Sequence, residues 1–218
     1  MKFTYPLLGL LVCLCVNSSQ AFAASYEEYW ELTFFGGHRT SDNIEPDEED
    51  DDDEASIDET EYYEIDFDNA GSGGVILGWN FDYNRTGELL FSHSVTDFDV
   101  EFDLADTEVS VSYLHIGGTV TISEGKVPFH IGGGLGVAHL DPSDKTLDSE
   151  TRISANLGAG VKFLFSDSLS LRLDARGYGT FFDSDSYIFC SGKNGCLIRS
   201  SSKLWLQAEF AIGLTYRF

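Results

Sequence analysis

The chain has 218 residues, enough for one domain, and a formal net charge of −24, with 37 acidic against 13 basic side chains. That balance excludes nucleic acid as a partner, because neutralising phosphates requires clustered Lys and Arg. No stretch reaches the roughly 20 apolar residues that a membrane helix needs, so a membrane-embedded form of this chain has to cross with strands.

The amino terminus reads as a secretory signal: Lys2, an apolar run from Leu7 to Val16, polar Asn17 to Gln20, then Ala21-Phe22-Ala23. Residues 1–23 are assigned to the signal peptide, cut after Ala23, and 24–218 to the exported domain. Cys13 and Cys15 fall inside the signal, and Val12 and Leu14 before them are not the small residues of a lipoprotein cleavage site. The exported part keeps Cys190 and Cys196, whose spacing in an oxidising compartment points to a disulfide closing a small loop. Zinc is the rival reading, although no nearby His offers further ligands.

Trp30, Leu32 and Phe34 alternate with Glu31 and Thr33, the period of two that sends side chains to opposite faces of a strand. The Gly36-Gly37 pair marks its expected end. A long acidic external loop is expected at about 38–74, centred on Glu48-Glu49-Asp50-Asp51-Asp52-Asp53-Glu54. Such a run cannot bury apolar surface and repels itself. Two readings stay open: a solvated charge run, or loose, diffuse binding of Ca2+ or Mg2+ by Asp50, Asp51, Asp52 and Asp53, since hard cations prefer carboxylate oxygen. No other cofactor is implied.

Alternation returns at Tyr63, Ile65 and Phe67, pauses at Gly71-Ser72-Gly73-Gly74, and resumes with Val75, Leu77, Trp79, Phe81 and Tyr83 outward against Ile76, Gly78, Asn80 and Asp82. After a turn at Asn84-Arg85-Thr86, Leu89, Phe91 and Val95 face one way and Glu88, Ser92 and Ser94 the other. Phe98, Val100, Phe102 and Leu104 continue that strand in the opposite phase. Their distance from the turn matches that of Tyr63 to Asp68, which predicts a paired ribbon above the bilayer. Between Glu108 and Ile122, Val109, Val111 and Tyr113 face outward at first and the apolar phase then shifts to Leu114, Ile116, Val120 and Ile122, predicting a bulge near Tyr113 or Leu114.

Next come Val127, Phe129, Ile131, Leu135 and Val137 outward, with Gly132, Gly134 and Gly136 on the other face. The sixth strand sets Ile153, Ala155, Leu157, Ala159, Val161 and Phe163 against Ser154, Asn156 and Lys162. The seventh sets Leu169, Leu171, Leu173 and Ala175 against Ser170, Arg172, Asp174, Arg176, Tyr178 and Thr180. In the last, every even residue from Leu204 to Phe218 is apolar, whereas the odd positions include Gln207, Glu209, Thr215 and Arg217.

Eight strands with alternately short and long connections predict an all-β fold, an eight-stranded antiparallel up-and-down transmembrane β-barrel in the bacterial outer membrane. Lipid offers no hydrogen bonds, so the first and last strands have to close. Trp30, Tyr83, Phe165, Phe181, Trp205, Tyr216 and Phe218 are expected in the interfacial girdles.

The stretches Glu88-Leu89-Leu90-Phe91-Ser92, Tyr113-Leu114-His115-Ile116-Gly117-Gly118, Gly132-Gly133-Gly134-Leu135-Gly136, Arg172-Leu173-Asp174-Ala175-Arg176-Gly177 and Tyr216-Arg217-Phe218 resemble the small outer-membrane barrels of the OmpA-like and OmpX-like type, often labelled porin-family proteins. The resemblance covers nearly all of the exported chain. It implies that Phe218 is the signal read by the barrel-assembly machinery; the peptidoglycan-binding periplasmic half of full OmpA-type proteins is not expected after it.

Function is less legible, because fold does not fix it. Eight strands enclose a bore that side chains can fill. The expected inward charges, Glu31, Asp82, Glu88, Lys162, Arg172, Asp174, Arg176, Glu209 and Arg217, carry both signs and suggest a salt-bridged plug in a monomer. The glycine face is the counter-argument: it leaves a narrow or gated passage for small solutes, or it makes room for Arg172, Arg176 and Tyr178. Some barrels that this chain resembles act on lipid A, but His93 and Ser94 fall on opposite faces by parity and no acid is placed to orient the base, so no enzyme is expected. The long connections carry acid, including Asp97 to Asp106, Asp141 to Glu150, Asp183 and Asp185, whereas short turns hold Arg85 and Lys126. This sorting fits a rim contacting cations, lipopolysaccharide or a basic partner surface; solubility alone also accounts for it.

Overall fold

Among the described residues the period-two pattern folds into eleven strands: β1 (Tyr29–Ser41), β2 (Ile65–Phe67), β3 (Ala70–Asp82), β4 (Arg85–Val100), β5 (Thr107–Thr121), β6 (Phe129–Pro142), β7 (Glu150–Leu164), β8 (Leu169–Phe181), β9 (Tyr187–Ser191), β10 (Gly195–Arg199) and β11 (Leu204–Arg217). The computed structural model describes residues 28–42, 65–67, 69–100, 107–123, 125–143, 147–182, 187–191, 195–199 and 204–218. Eight strands, β1, β3 to β8 and β11, close into an antiparallel up-and-down barrel, with β1 bonded to both β3 and β11. The seam is sealed to its end: Phe218 N–H donates to Trp30 O at 2.9 Å, and Trp30 N–H to Phe218 O at 3.1 Å. Closure leaves no unpaired edge along the wall, the condition for a sheet in hydrocarbon.

Outward residues are oily and bare. Phe34, Ile116, Leu135, Ile153, Leu157 and Phe210 are each at least 60% exposed. A continuous apolar belt of this kind is a liability in water and the expected lipid contact of a barrel. Aromatic rings gather at the end with the short connections. Trp30 pairs across strands with Trp79, ring centroids 6.1 Å apart, and Tyr216 stacks on Phe218 at 6.2 Å. Tyr83 and Phe165 are exposed at the same end, as expected of a girdle.

Gly36-Gly37 does not end β1, and Gly71 to Gly74 lies within β3. At these positions strands crowd together: a Cβ on Gly37 would sit 2.5 Å from Phe210 O, and one on Gly74 would collide with Phe91 O. The glycines permit close approach rather than stopping the strand. The first long connection therefore spans 42–69, with β2 inside it, instead of about 38–74. β2 pairs with the end of β4 through Ile65 opposite Val100, Asp66 opposite Asp99 and Phe67 opposite Phe98, so the expected ribbon forms over three residue pairs.

The bulge expected in β5 is absent. Its pairing with β4 and β6 runs without a register shift, and Val109, Val111 and Tyr113 all point inward. At this end of the barrel the interior is itself apolar: they pack with Ala138, Leu140, Phe182 and Trp205. Trp205 is thus a core residue and not part of a girdle, with its indole N–H donated to Asp42 O at 3.1 Å. Towards the external end, inward positions thus carry apolar as well as polar side chains.

Candidate functional site

Inward parity on all eight barrel strands aims polar side chains at one another, and they sort into two networks. The lower one is centred on Asp174 of β8, which accepts from Arg172 Nε at 2.7 Å and Arg176 Nη2 at 3.0 Å and lies 2.8 Å from His130 Nε2. Arg172 also donates to Glu88 Oε1 at 2.7 Å, and Thr119 reaches the same oxygen at 3.4 Å. Lys162 pairs with Glu31 at 2.5 Å. These groups come from β1, β4, β5, β6, β7 and β8, so the network ties together most of the circumference.

The upper network is centred on Arg39 of β1. Its guanidinium bonds Glu209 at 2.8 Å and Ser94 Oγ at 2.7 Å, and also donates to Ser92 Oγ. It lies 5.0 Å from the ring centre of Tyr113 and 5.2 Å from that of Tyr178, within reach of a cation–π attraction. The two tyrosine rings stack at 4.4 Å. Tyr178 donates its hydroxyl to Glu209 Oε1 at 2.9 Å, and Tyr113 donates to Gln207 Oε1 at 2.7 Å. Between the networks, His115 bonds Ser154 at 2.6 Å and Asn156 at 2.7 Å.

Charges inside are matched. Glu31, Glu88, Asp174 and Glu209 face Arg39, Lys162, Arg172 and Arg176, and each has an opposite charge within 3.0 Å. Such pairing is the condition under which buried charges are tolerated. A cavity of about 20 Å³ remains beside Gly132, Gly134, Gly158, Asn156 and Arg176, room for about one water molecule. Arg176 Nη1 is buried there with no hydrogen-bond partner among the described residues.

Two expected interior charges fall elsewhere. Asp82 is half-buried at the β3–β4 turn, where its carboxylate accepts from Tyr83 N–H at 2.7 Å. Arg217 is exposed, 3.4 Å above the ring of Tyr29. Both keep inward parity, but they sit where the bore has already opened to solvent. The inward place of Arg39 is hidden in the sequence because Gly36-Gly37 before it looks like a strand end, and that of Tyr113 because the apolar residues of β5 lie on both faces. Strand parity was the available signal for His115 and His130.

His93 and Ser94 lie on opposite faces, as parity required: His93 is exposed and bonds Ser112 at 2.9 Å, whereas Ser94 is buried against Arg39. Asp50, Asp51, Asp52 and Asp53 lie outside the described residues, as do the signal sequence, Asp183 and Asp185. No group of three potential metal ligands occurs among the described residues. At the external end, Asp141 and Asp148 are exposed and Glu150 pairs with Arg152 at 2.7 Å. Arg85 and Lys126 are exposed at the opposite end, joined by Arg217 but also by Asp167, so that end is mixed rather than purely basic. Cys190 and Cys196 stand directly opposite each other in the β9–β10 ribbon.

Solved barrels share this architecture. The chain is similar to the outer membrane protein AlkL in lipid bilayers (TM-score 0.53, 12% identity, 92% of this chain and 95% of that one). It is likewise similar to OprG from Pseudomonas aeruginosa (0.52, 12%, 88% and 95%) and to Neisserial surface protein A (0.51, 10%, 88% and 97%). At such identities the likeness speaks to the fold. No curated protein matches the sequence. The sequence itself matches the outer membrane protein beta-barrel domain over residues 9–218. With that match and a closed eight-stranded wall, the chain belongs to the outer membrane protein beta-barrel domain family.

Proposed function

We propose that this protein is a plugged barrel in the outer membrane that anchors acidic external loops, which contact divalent cations bridging lipopolysaccharide phosphates or a basic partner surface. The observation that carries the reading is the pair of charge-matched networks across the bore. A bore filled by mutually bonded side chains gives hydrated ions no continuous path, which leaves the loops as the working part. Asp50 to Asp53 are the strongest candidates for loose Ca2+ or Mg2+ binding, because clustered carboxylates suit hard cations. Contact driven by those carboxylates weakens as ionic strength rises. The β2–β4 ribbon offers a second mode of contact, strand addition at its free edge. A variant lacking residues 61–68 that adheres as well as the parent would dispose of that mode.

Single-channel recording of refolded protein in a planar bilayer is the deciding experiment. Silence from protein shown to be folded and inserted is the expected result. Discrete current steps would instead favour the alternative, a narrow or gated channel for small solutes, for which the glycine-lined cavity beside Arg176 is the supporting observation.

A further inference from the structure

The lipid-facing wall is notched where β8, β11 and β1 approach their external ends. Gly177 and Gly179 occupy outward positions on β8. Across the register, Gly177 neighbours Leu157 and Ala208, and Gly179 neighbours Ala155 and Leu206. The missing side chains leave a groove of about 630 Å³ on the outer surface. Leu157, 74% exposed, stands along one side and Leu204 and Leu206 along the other, and Phe181, outward on β8 itself, bounds the external end of the glycine floor. A Cβ on Gly177 would meet nothing nearer than 3.9 Å, whereas Leu204 Cδ1 lies 3.1 Å from the Cβ position of Gly179, so the leucine leans over the floor at that end. Polar residues line the β1 edge: Thr40, paired with Ala208, followed by Ser41 and Asp42.

We propose that this groove seats one acyl chain of an outer-leaflet lipid, lying along Gly177 and Gly179, with the headgroup at Thr40 and Asp42. The groove is continuous with the apolar belt that contacts hydrocarbon, so lipid is the medium already at its walls. Phe181 ends β8, Leu204 begins β11 and Ser41 ends β1, which places the groove in the outer half of the wall. Its polarity is graded across the strands, apolar over β7, β8 and β11 and polar at the β1 edge, where Thr40 and Asp42 offer a headgroup hydrogen-bonding partners. A chain in the notch also restores the dispersion contacts that a void beside Gly177 forfeits. The concave floor between protruding leucines suits a flexible chain better than the convex wall of a second barrel.

The test uses protein reconstituted in bilayers of a phospholipid carrying a photoreactive diazirine on one acyl chain, with adducts mapped by mass spectrometry. Adducts at 177–181 and 204–208 should exceed those at Phe91 and Leu114 on the opposite wall. In Gly177→Leu, whose new side chain has room, they should fall to the level of that wall, with heat-modifiable gel mobility confirming the fold. Uniform labelling around the belt, or enrichment that survives Gly177→Leu, would overturn the proposal. Cross-links between two copies through the groove would also overturn it and assign the notch to a dimer.

Discussion

Arg39 and Glu209 are 170 positions apart and form an ion pair at 2.8 Å, each side chain 1% exposed. The pair joins β1 to its neighbour β11 across the seam that closes the barrel, and Ser92 and Tyr178 donate to the same carboxylate. Removing one partner leaves an uncompensated buried charge, which costs about 3–5 kcal/mol. Glu209→Leu should therefore lower the urea midpoint of vesicle-embedded protein strongly. The double variant Arg39→Leu, Glu209→Leu should lie closer to the parent than either single variant. A double variant less stable than both singles would mean that the tyrosines and serines around the pair, and not charge balance, dominate.

Removing one charge of each sign at the waist tests the plug without unbalancing it. Asp174→Ala with Arg176→Ala leaves Arg172 its bond to Glu88 and enlarges the cavity beside Gly132 and Gly158. The expected outcome is discrete conductance steps in a planar bilayer from a variant whose parent is silent. Silence in the folded variant would place the barrier in the upper network, where Arg39 lies over the stacked Tyr113 and Tyr178.

The glycines divide by what surrounds them. A Cβ on Gly136 would collide with Leu114 O, and one on Gly134 would lie 2.9 Å from Ile116 O, both backbone atoms of the neighbouring strand. Gly136→Ala should destabilise the barrel by about 1–3 kcal/mol or more, as overpacking does, whereas Gly177→Ala should leave it unchanged. Heat-modifiable mobility in a denaturant series reads both. For the same reason, a bulky residue at Gly134 is a poor probe of a passage, since it strains the wall as well as filling the bore.

These glycines also mark where the sequence was legible and where it was not. Period two located all eight barrel strands, because each has one face in lipid and one in the bore, and the two environments select opposite chemistry. It identified Glu88, Arg172, Asp174 and Arg176 for the same reason. It misread Gly36-Gly37 and Gly71 to Gly74, because a glycine that permits strand contact looks the same in sequence as one that ends a strand. It misplaced Val109, Val111, Tyr113 and Trp205, because the upper bore mixes apolar side chains with its polar network, and an apolar residue there carries no mark of which face it occupies. The partners within each network could not be read at all, since they depend on the closure of the barrel and not on local spacing.

Cys190 and Cys196 are opposite one another in an antiparallel pair, and residues so placed have Cα atoms about 4.5–5.5 Å apart, inside the range of about 4.4–6.8 Å that a disulfide spans. Protein exported to an oxidising compartment should therefore resist maleimide labelling at both positions until it is reduced, and then take up label at each. Among the described residues, the ribbon of β9 and β10 pairs with itself and not with the barrel wall. Reduction should consequently leave the unfolding midpoint of the barrel within about 0.5 kcal/mol of the oxidised form, as for a change remote from the core. Free thiols in freshly isolated protein would refute the bond. A large loss of barrel stability on reduction would show instead that the ribbon braces the external mouth of the barrel.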